Sequence, residues 1–353
     1  MNASITNSTA TVTVGLSETE LWILLIGFYV VGGLVTGIGY ILIAIGIARN
    51  KKLRTRFFII VWGLATCRVF LCFQFLVIGI YRSLRTVELA PSRLMGAACN
   101  GIHFSLLVML TLEITLLLAL VLERALAIMT PNFYRTLTTK QAMVICAATY
   151  VIVFILKIPF AFVGSIRMVS CVNSYSGPTA PFNEYTQHID LALMCLTLFV
   201  YAILLLFVRW RISVLRAKGT FGNDSNDGDS IALKRQLLLM PTLRNLVLVH
   251  CGLSFATRIM RAGAGFAQPG SYLSARLSAY AGLLTVVDLL VNLAALLRAN
   301  DKVRRAAFPC CANKVKEGAV TVGQDTETKW AKVIRTSSKE GNTRIATKDV
   351  ARM

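Results

Sequence analysis

Long apolar stretches recur along the chain and are separated by short polar segments. Each contains about 20 residues or more, which is enough to cross the ~30 Å hydrocarbon core of a bilayer as an α-helix. The pattern predicts seven membrane-spanning helices, at about 21–48, 57–80, 97–122, 141–164, 189–208, 237–260 and 273–297. The sixth is the weakest of the seven, because Pro241 and Arg244 interrupt its apolar pattern.

Composition supports this interpretation. The 353-residue chain is 56% hydrophobic and 15% charged, whereas soluble domains are typically about half apolar and a quarter charged. We therefore predict an all-α membrane protein, a seven-transmembrane helix bundle. The formal charge of +20 comes from basic runs beside the spans, which indicates cytosolic loops and no nucleic-acid partner. The nine cysteines include no CxxC pair, so no metal site is expected.

Lysine and arginine are unevenly distributed between the connecting segments. Five lie in residues 49–56 and thirteen follow Leu297, whereas residues 1–20 contain none. The positive-inside rule therefore predicts an extracellular N-terminus in the plasma membrane. The three expected regions are an extracellular N-terminus (1–20), a transmembrane domain (21–311) and a disordered cytosolic tail (312–353). A contrary sign is the basic first outer connection, with Arg82, Arg85 and Arg93.

Three covalent modifications follow from this topology. The sequons at Asn2 and Asn7 would be glycosylated outside the cell, although such triplets are also common by chance. Cys99, at the outer end of the third span, and Cys171, in the second outer loop, lie in the oxidising compartment and are predicted to form a disulfide. Palmitoylation is predicted at Cys310 and Cys311, and the alternative is that these tail thiols stay unmodified.

Three spans carry a charged residue near the middle of the bilayer. Arg68, Glu113 and Asp288 each lie ten or eleven residues from the cytosolic end of their span, which is about 15–16 Å deep. An isolated charge there costs roughly 2.5–3.5 kcal/mol. We therefore predict an Arg68–Glu113–Asp288 cluster, with Asn292 one turn after Asp288. The alternative, that Arg68 extends to the cytosolic surface, requires a longer side chain than arginine has. Lys157, near the outer end of the fourth span, can extend outward.

The third span carries the most specific motif. Its sequence ERALAIMTPNFY resembles the DRYxAIxxPxxY motif of rhodopsin-like G-protein-coupled receptors, with Glu123, Arg124, Pro131 and Tyr134 in register. Cys99 also precedes Arg124 by 25 residues, the spacing found in that family. The resemblance covers about residues 21–311 and implies a short amphipathic eighth helix after the seventh span.

Several positions depart from the family pattern. Arg68 stands where the family has a mid-membrane aspartate, beside the site in which many members hold sodium. We expect the Arg68 guanidinium to take the place of that ion. Residues 251–254 (CGLS) replace the family's CWxP, and only Asn292 remains of NPxxY. This divergence resembles the serpentine chemoreceptors of nematodes, and an orphan peptide receptor is equally compatible.

The resemblance implies a receptor. The chain shows no HExxH, GxSxG or phosphate-loop motif, so we expect neither enzymatic activity nor a cofactor. Its expected partners are a heterotrimeric G protein, an extracellular small molecule or peptide, and membrane lipids. The residues expected to act in G-protein coupling are those of the motif, Glu123, Arg124, Pro131 and Tyr134. Glu123 would hold Arg124 in the inactive state, and Arg124 would turn inward on activation.

Residues that the chain lacks narrow the range of possible ligands. Leu106 replaces the aspartate of amine receptors and Val286 the retinal lysine of opsins, so neither amines nor light is expected. For any single leucine of the expected pocket, packing is the simpler explanation. The candidate pocket residues are His103, Leu106, Leu107, Leu110, Arg258 and Arg261. A transporter or channel is the alternative class, which the lack of an internal repeat disfavours.

Overall fold

The computed structural model describes residues 22–87, 89, 94–161, 168–169, 180–217, 237, 239–266 and 272–308. These residues form seven long helices followed by one short helix. They are α1 (Gly33–Arg49, continued N-terminally by a π-helix at Ile23–Gly32), α2 (Arg56–Thr86), α3 (Gly96–Met129), α4 (Thr139–Ala161), α5 (Ala180–Ala217), α6 (Met240–Phe266), α7 (Tyr272–Ala299) and α8 (Asp301–Ala307). The predicted seven-helix bundle with a short eighth helix is confirmed.

Six of the seven long helices contain a segment that is long and apolar enough to cross a membrane. The exception is α6, whose mean hydropathy is lowered by polar residues such as His250 and Arg258. It is nevertheless one continuous helix that packs along α7. Pro241 is its second residue. In the first turn of a helix the backbone N–H groups have no helical partner, so proline is tolerated there. Pro241 therefore does not break the helix, and the expectation that this is the weakest of the seven spans is confirmed.

The third helix lies at the centre of the bundle. It contacts α2, α4, α5 and α6, while α7 packs between α6 and the first helix. The outer faces of α4 and α5 are apolar and exposed, with Leu156, Phe199 and Leu206 all about 65% accessible. Apolar exposure on this scale suits contact with lipid chains, whereas the charged side chains described below point inward.

Smaller elements close the two ends of the bundle. A six-residue helix, Pro131–Thr136, follows α3 and carries Tyr134; we call this the Arg124 end. At the opposite end, the strand end, β1 (Leu94–Met95) pairs antiparallel with β2 (Met168–Val169). None of these elements is apparent from hydropathy alone. All the predicted modification sites lie outside the residues or side chains that the structure describes: Asn2, Asn7, Cys99, Cys171, Cys310 and Cys311.

Candidate functional site

Four ionisable side chains from four helices meet in the middle of the bundle. They are Arg68 of α2, Glu113 of α3, His250 of α6 and Asp288 of α7, and none is more than 3% exposed. We call them the mid-bundle cluster. Charged groups at this depth are stable only when they are paired and hydrogen-bonded to one another, so their mutual contacts decide what the cluster does.

The contacts form one continuous chain across the bundle. Arg68 Nε donates to Glu113 Oε1 at 2.6 Å, and Arg68 Nη1 donates to the Tyr40 hydroxyl at 3.0 Å. His250 Nδ1 lies 2.8 Å from Asp288 Oδ2 and 3.4 Å from Glu113 Oε1. The Tyr40 hydroxyl in turn donates to the backbone carbonyl of Leu289 at 2.9 Å. The cluster therefore joins α1, α2, α3, α6 and α7.

The structure brings Arg68 and Glu113 into direct contact and joins Asp288 to them through His250. Asn292 Nδ2 donates to Asp288 Oδ1 at 2.6 Å, one helical turn away. His250 is not among the residues predicted from the sequence. Its depth becomes a signal only when the start of α6 is known: His250 lies ten residues after Met240, and hence about 15 Å deep, whereas the predicted span starts at residue 237.

The cluster also has a spacing that could suit a metal ion. Ligand atoms of Glu113, His250 and Asp288 all lie within 4.8 Å of one another. However, the Arg68 guanidinium already contacts the Glu113 carboxylate, and a positive charge there repels a cation. These residues therefore do not fit the sodium site expected of related receptors, and the reason is the arginine at position 68.

The second candidate site lies at the Arg124 end. Arg124 and Glu123 form a two-point ion pair, in which Nε donates to Oε2 and Nη2 donates to Oε1, both at 2.5 Å. The Tyr134 hydroxyl donates to Glu123 Oε1 and accepts from Arg124 Nη2 at 3.2 Å. The Arg124 guanidinium also lies over the Phe57 ring, 4.6 Å from its centroid. Arg124 is thus enclosed by residues from three chain segments, which we call the Arg124 cluster.

Tyr134 is itself held in place by α2. The Arg56 guanidinium stacks 3.7 Å from the centroid of the Tyr134 ring and donates to the Tyr134 backbone carbonyl. Burial and the neighbouring Glu123 carboxylate raise the pKa of Tyr134 to about 12, so its hydroxyl is protonated at neutral pH. Pro131 starts the short helix that carries Tyr134. The sequence motif contains Glu123, Arg124 and Tyr134 but gives no sign of Arg56 or Phe57.

A third polar group lies in the half of the bundle nearer the strand end. Asp190 of α5 accepts a hydrogen bond from Thr111 Oγ1 at 2.6 Å and lies 3.4 Å from Arg258 Nη2. Lys157 lies within electrostatic range of the same carboxylate and is only 4% exposed. The expectation that Lys157 extends outward is therefore wrong. Asp190 escapes prediction because the apolar pattern starts the fifth span at residue 189, whereas α5 starts at Ala180.

The predicted pocket residues are distributed around this group. Leu106, Leu107 and Leu110 are half-buried on α3 just before Thr111, and Arg258 contacts Asp190. Arg261 lies near the end of α6 and is half-buried. The side chain of His103 lies outside the part of the chain that the structure describes. Whether these residues bind a ligand stays a prediction.

A seven-helix bundle with a paired arginine at the end of its third helix is the architecture of a helical membrane receptor. Residues 39–266, more than half of the chain, match the 7 transmembrane receptor (rhodopsin family), and the chain belongs to that family. No individual curated protein matches it. The protein is therefore a multi-pass membrane receptor of the rhodopsin family, and members of this family are not enzymes.

Proposed function

We propose that this protein is a G-protein-coupled receptor that converts binding of an extracellular ligand into activation of a heterotrimeric G protein. The observation that carries the proposal is the Arg124 cluster. Arg124 is buried against Glu123 and Tyr134 at the end of the central helix, where its release would change the surface offered to an intracellular partner.

In the inactive receptor, Glu123 and Tyr134 hold Arg124 against the Phe57 ring. On activation Arg124 leaves these partners and turns inward, and a helix of the G protein enters the groove that opens beside it. A ligand drives this change only to the extent that it binds the released arrangement more tightly than the closed one. Charge-assisted hydrogen bonds are worth about 1.5–3 kcal/mol each, so each contact to Arg124 biases the equilibrium about tenfold to hundredfold.

We place the Arg124 end in the cytosol and the N-terminus outside the plasma membrane. The basic residues of segment 49–56, together with Lys302 and Arg305 of α8, lie at that end and would contact anionic lipid. Residues 1–20 would then be extracellular and residues 312–353 a cytosolic tail. Pairing of β1 with β2 brings the second outer loop near the start of α3, which supports a Cys99–Cys171 disulfide.

The ligand would be a chemosensory small molecule or a peptide that enters from the strand end. Leu106 and Leu110 of α3, with Arg258 of α6, are the residues proposed to line its site. The loss of the CWxP and NPxxY patterns supports a relationship to the nematode serpentine chemoreceptors. The polar group around Asp190 would then give the inner wall of the ligand site its charged character.

Three variants test the role of Arg124 without knowledge of the ligand. Glu123→Gln weakens the ion pair and should raise ligand-free G-protein recruitment in cells. Adding Arg124→Ala to that variant should abolish the signal, since no guanidinium remains to engage the groove. Arg304→Ala, an exposed arginine at the same end of the bundle, is the control and should change nothing.

An epitope at the N-terminus, detected on unpermeabilised cells, normalises each signal to surface receptor and tests the orientation directly. Full recruitment by the double variant at equal surface expression would contradict the role given to Arg124. An epitope accessible only after permeabilisation would contradict the orientation.

A further inference from the structure

A cavity of about 290 Å³ lies at the Arg124 end, between α8 and the segment that joins α1 to α2. It is lined by Asn50, Leu53, Lys302, Arg305 and Ala306. Its volume is near the lower limit of small-molecule sites, which is about 300 Å³. It therefore has room for a compact polar group and not for a large ligand.

The charge of the cavity is positive. Lys302 and Arg305 are three residues apart on α8 and so share one face of the helix. Arg304 faces elsewhere and pairs with Asp301 at 2.6 Å. Among the described residues, no carboxylate lies within ion-pair distance of Lys302 or Arg305. Two cations thus face the cavity with no acidic partner from the described part of the chain.

Apart from Asn50, the remaining walls are apolar, and they are fixed in position. Leu53 is buried, and Ala306 belongs to the segment of α8 that packs on α1. The two helices approach closely because position 46 is glycine: a Cβ there would lie 2.8 Å from the backbone carbonyl carbon of Ala306. The Asn300 side chain accepts from the Val303 N–H at 3.2 Å and fixes the start of α8. The cavity is therefore part of the packed bundle.

We propose that this cavity binds the headgroup of a membrane lipid that carries a phosphate monoester, such as a phosphoinositide. A monoester carries about −1.5 to −2 charges at neutral pH and matches the two cations, whereas the diester of phosphatidylserine carries one phosphate charge. Arginine binds phosphate through two parallel N–H groups, and lysine adds a point charge. The apolar walls suit the glycerol end of a lipid better than a free phosphate.

This inference rests on the proposed cytosolic placement of the Arg124 end, where such lipids would be available. The binding test, however, is independent of signalling. Full-length receptor in detergent is titrated with short-chain phosphatidylinositol bisphosphate, and bound lipid is counted by native mass spectrometry. Loss of one cation should weaken binding about fivefold, and loss of both, in Lys302→Gln with Arg305→Gln, about thirtyfold. Arg304→Gln, on the same helix, should bind like the unaltered receptor.

A second variant separates the cavity from general surface charge. Ala306→Phe keeps both cations and fills the space, so it should also lose the lipid while the thermal unfolding midpoint confirms that the protein is folded. Phosphatidylserine and soluble inositol trisphosphate should each bind at least tenfold more weakly than the phosphoinositide.

Three results would overturn the proposal. If phosphatidylserine binds as tightly as the phosphoinositide, the site does not prefer a phosphate monoester. If inositol trisphosphate binds as tightly as the phosphoinositide, the site does not require a lipid. If Arg304→Gln loses as much lipid affinity as the cavity variants, the lipid is attracted by the general positive charge of the surface and not by a defined site. A receptor that binds the lipid but recruits no G protein would contradict the proposed function alone.

Discussion

Removing one partner of the Arg68–Glu113 ion pair should destabilise the receptor far more than removing both. The test uses Arg68→Met, Glu113→Gln and the double variant. Both side chains are almost fully buried, and Arg68 Nε lies 2.6 Å from Glu113 Oε1. Breaking a buried pair typically costs about 3–5 kcal/mol because the other charge remains uncompensated. Two charges about 4 Å apart at an effective dielectric constant of about 20 interact by about 4 kcal/mol, which agrees with that range.

The surroundings make the two single variants unequal. In Arg68→Met, Glu113 still has His250 at 3.4 Å. In Glu113→Gln, the Arg68 guanidinium keeps its hydrogen bond to the neutral Tyr40 hydroxyl, at 3.0 Å, but no longer has an ionised partner in direct contact. We therefore expect Glu113→Gln to cost more than Arg68→Met, and the double variant to recover about 3 kcal/mol relative to the sum of the two. A charge reversal should recover less, since an arginine at position 113 would face His250.

An exposed ion pair of the same length is the matched control. Arg304 and Asp301 are also 2.6 Å apart, but their side chains are 38% and 54% exposed. Their double-mutant cycle should give about 0.5 kcal/mol or less. Both cycles are measured by unfolding of the purified receptor in mixed micelles, with surface expression as a second measurement. A coupling energy for Arg68 and Glu113 no larger than that of the control would refute the reasoning.

Two further predictions concern the same clusters. Replacing sodium chloride by choline chloride should leave the thermal unfolding midpoint of the purified receptor unchanged. The Arg68→Met variant keeps Glu113, His250 and Asp288, whose ligand atoms lie within 4.8 Å of one another, and should be stabilised by sodium. A sodium effect in the unaltered receptor would contradict this prediction. Tyr134→Phe should raise ligand-free G-protein recruitment by up to about tenfold, because one charge-assisted hydrogen bond to Glu123 is removed. Tyr150→Phe, which removes a hydrogen bond to the Gly63 carbonyl elsewhere in the bundle, should not.

The sequence could locate the mid-bundle charges because the depth of a residue in the membrane can be counted from the end of its span. The helical rise converts residue number into depth, and the high energy of an isolated charge requires a partner at that depth. Depth and energy together bring Arg68 and Glu113 into contact without any structure. The pattern around Arg124 is similarly informative, because Glu123 and Arg124 are adjacent and Tyr134 lies in a recognisable motif.

What the sequence could not provide were the partners set by tertiary packing. His250 is hard to recognise because α6 is the least apolar long helix, so a polar residue at its middle does not stand out. Asp190 escapes prediction because α5 extends beyond its apolar core and starts nine residues before the predicted span. Lys157 is misplaced because the carboxylate near it, that of Asp190, belongs to another helix. Arg56 and Phe57 contact the Arg124 cluster through the relative position of α2, which no local pattern records.

The sixth helix must move if a groove is to open beside Arg124, and its contacts indicate how. The chain lacks the tryptophan and proline that other members carry after position 251, but His250 links α6 to both neighbours, to α7 through Asp288 and to α3 through Glu113. Contacts of α6 with α7 run along the helices, whereas those with α3 and α5 are sparse. The shorter 2.8 Å contact to Asp288 also favours α7 over the 3.4 Å contact to Glu113.

We therefore expect α6 and α7 to move as a pair, so that His250 stays with Asp288 and separates from Glu113. Spin labels on α3, α6 and α7 measure this when the receptor with and without G protein is compared. The α3–α6 distance should lengthen while the α6–α7 distance stays constant. A change in both distances would mean that α6 pivots away from α7, and that the histidine does not couple the two helices.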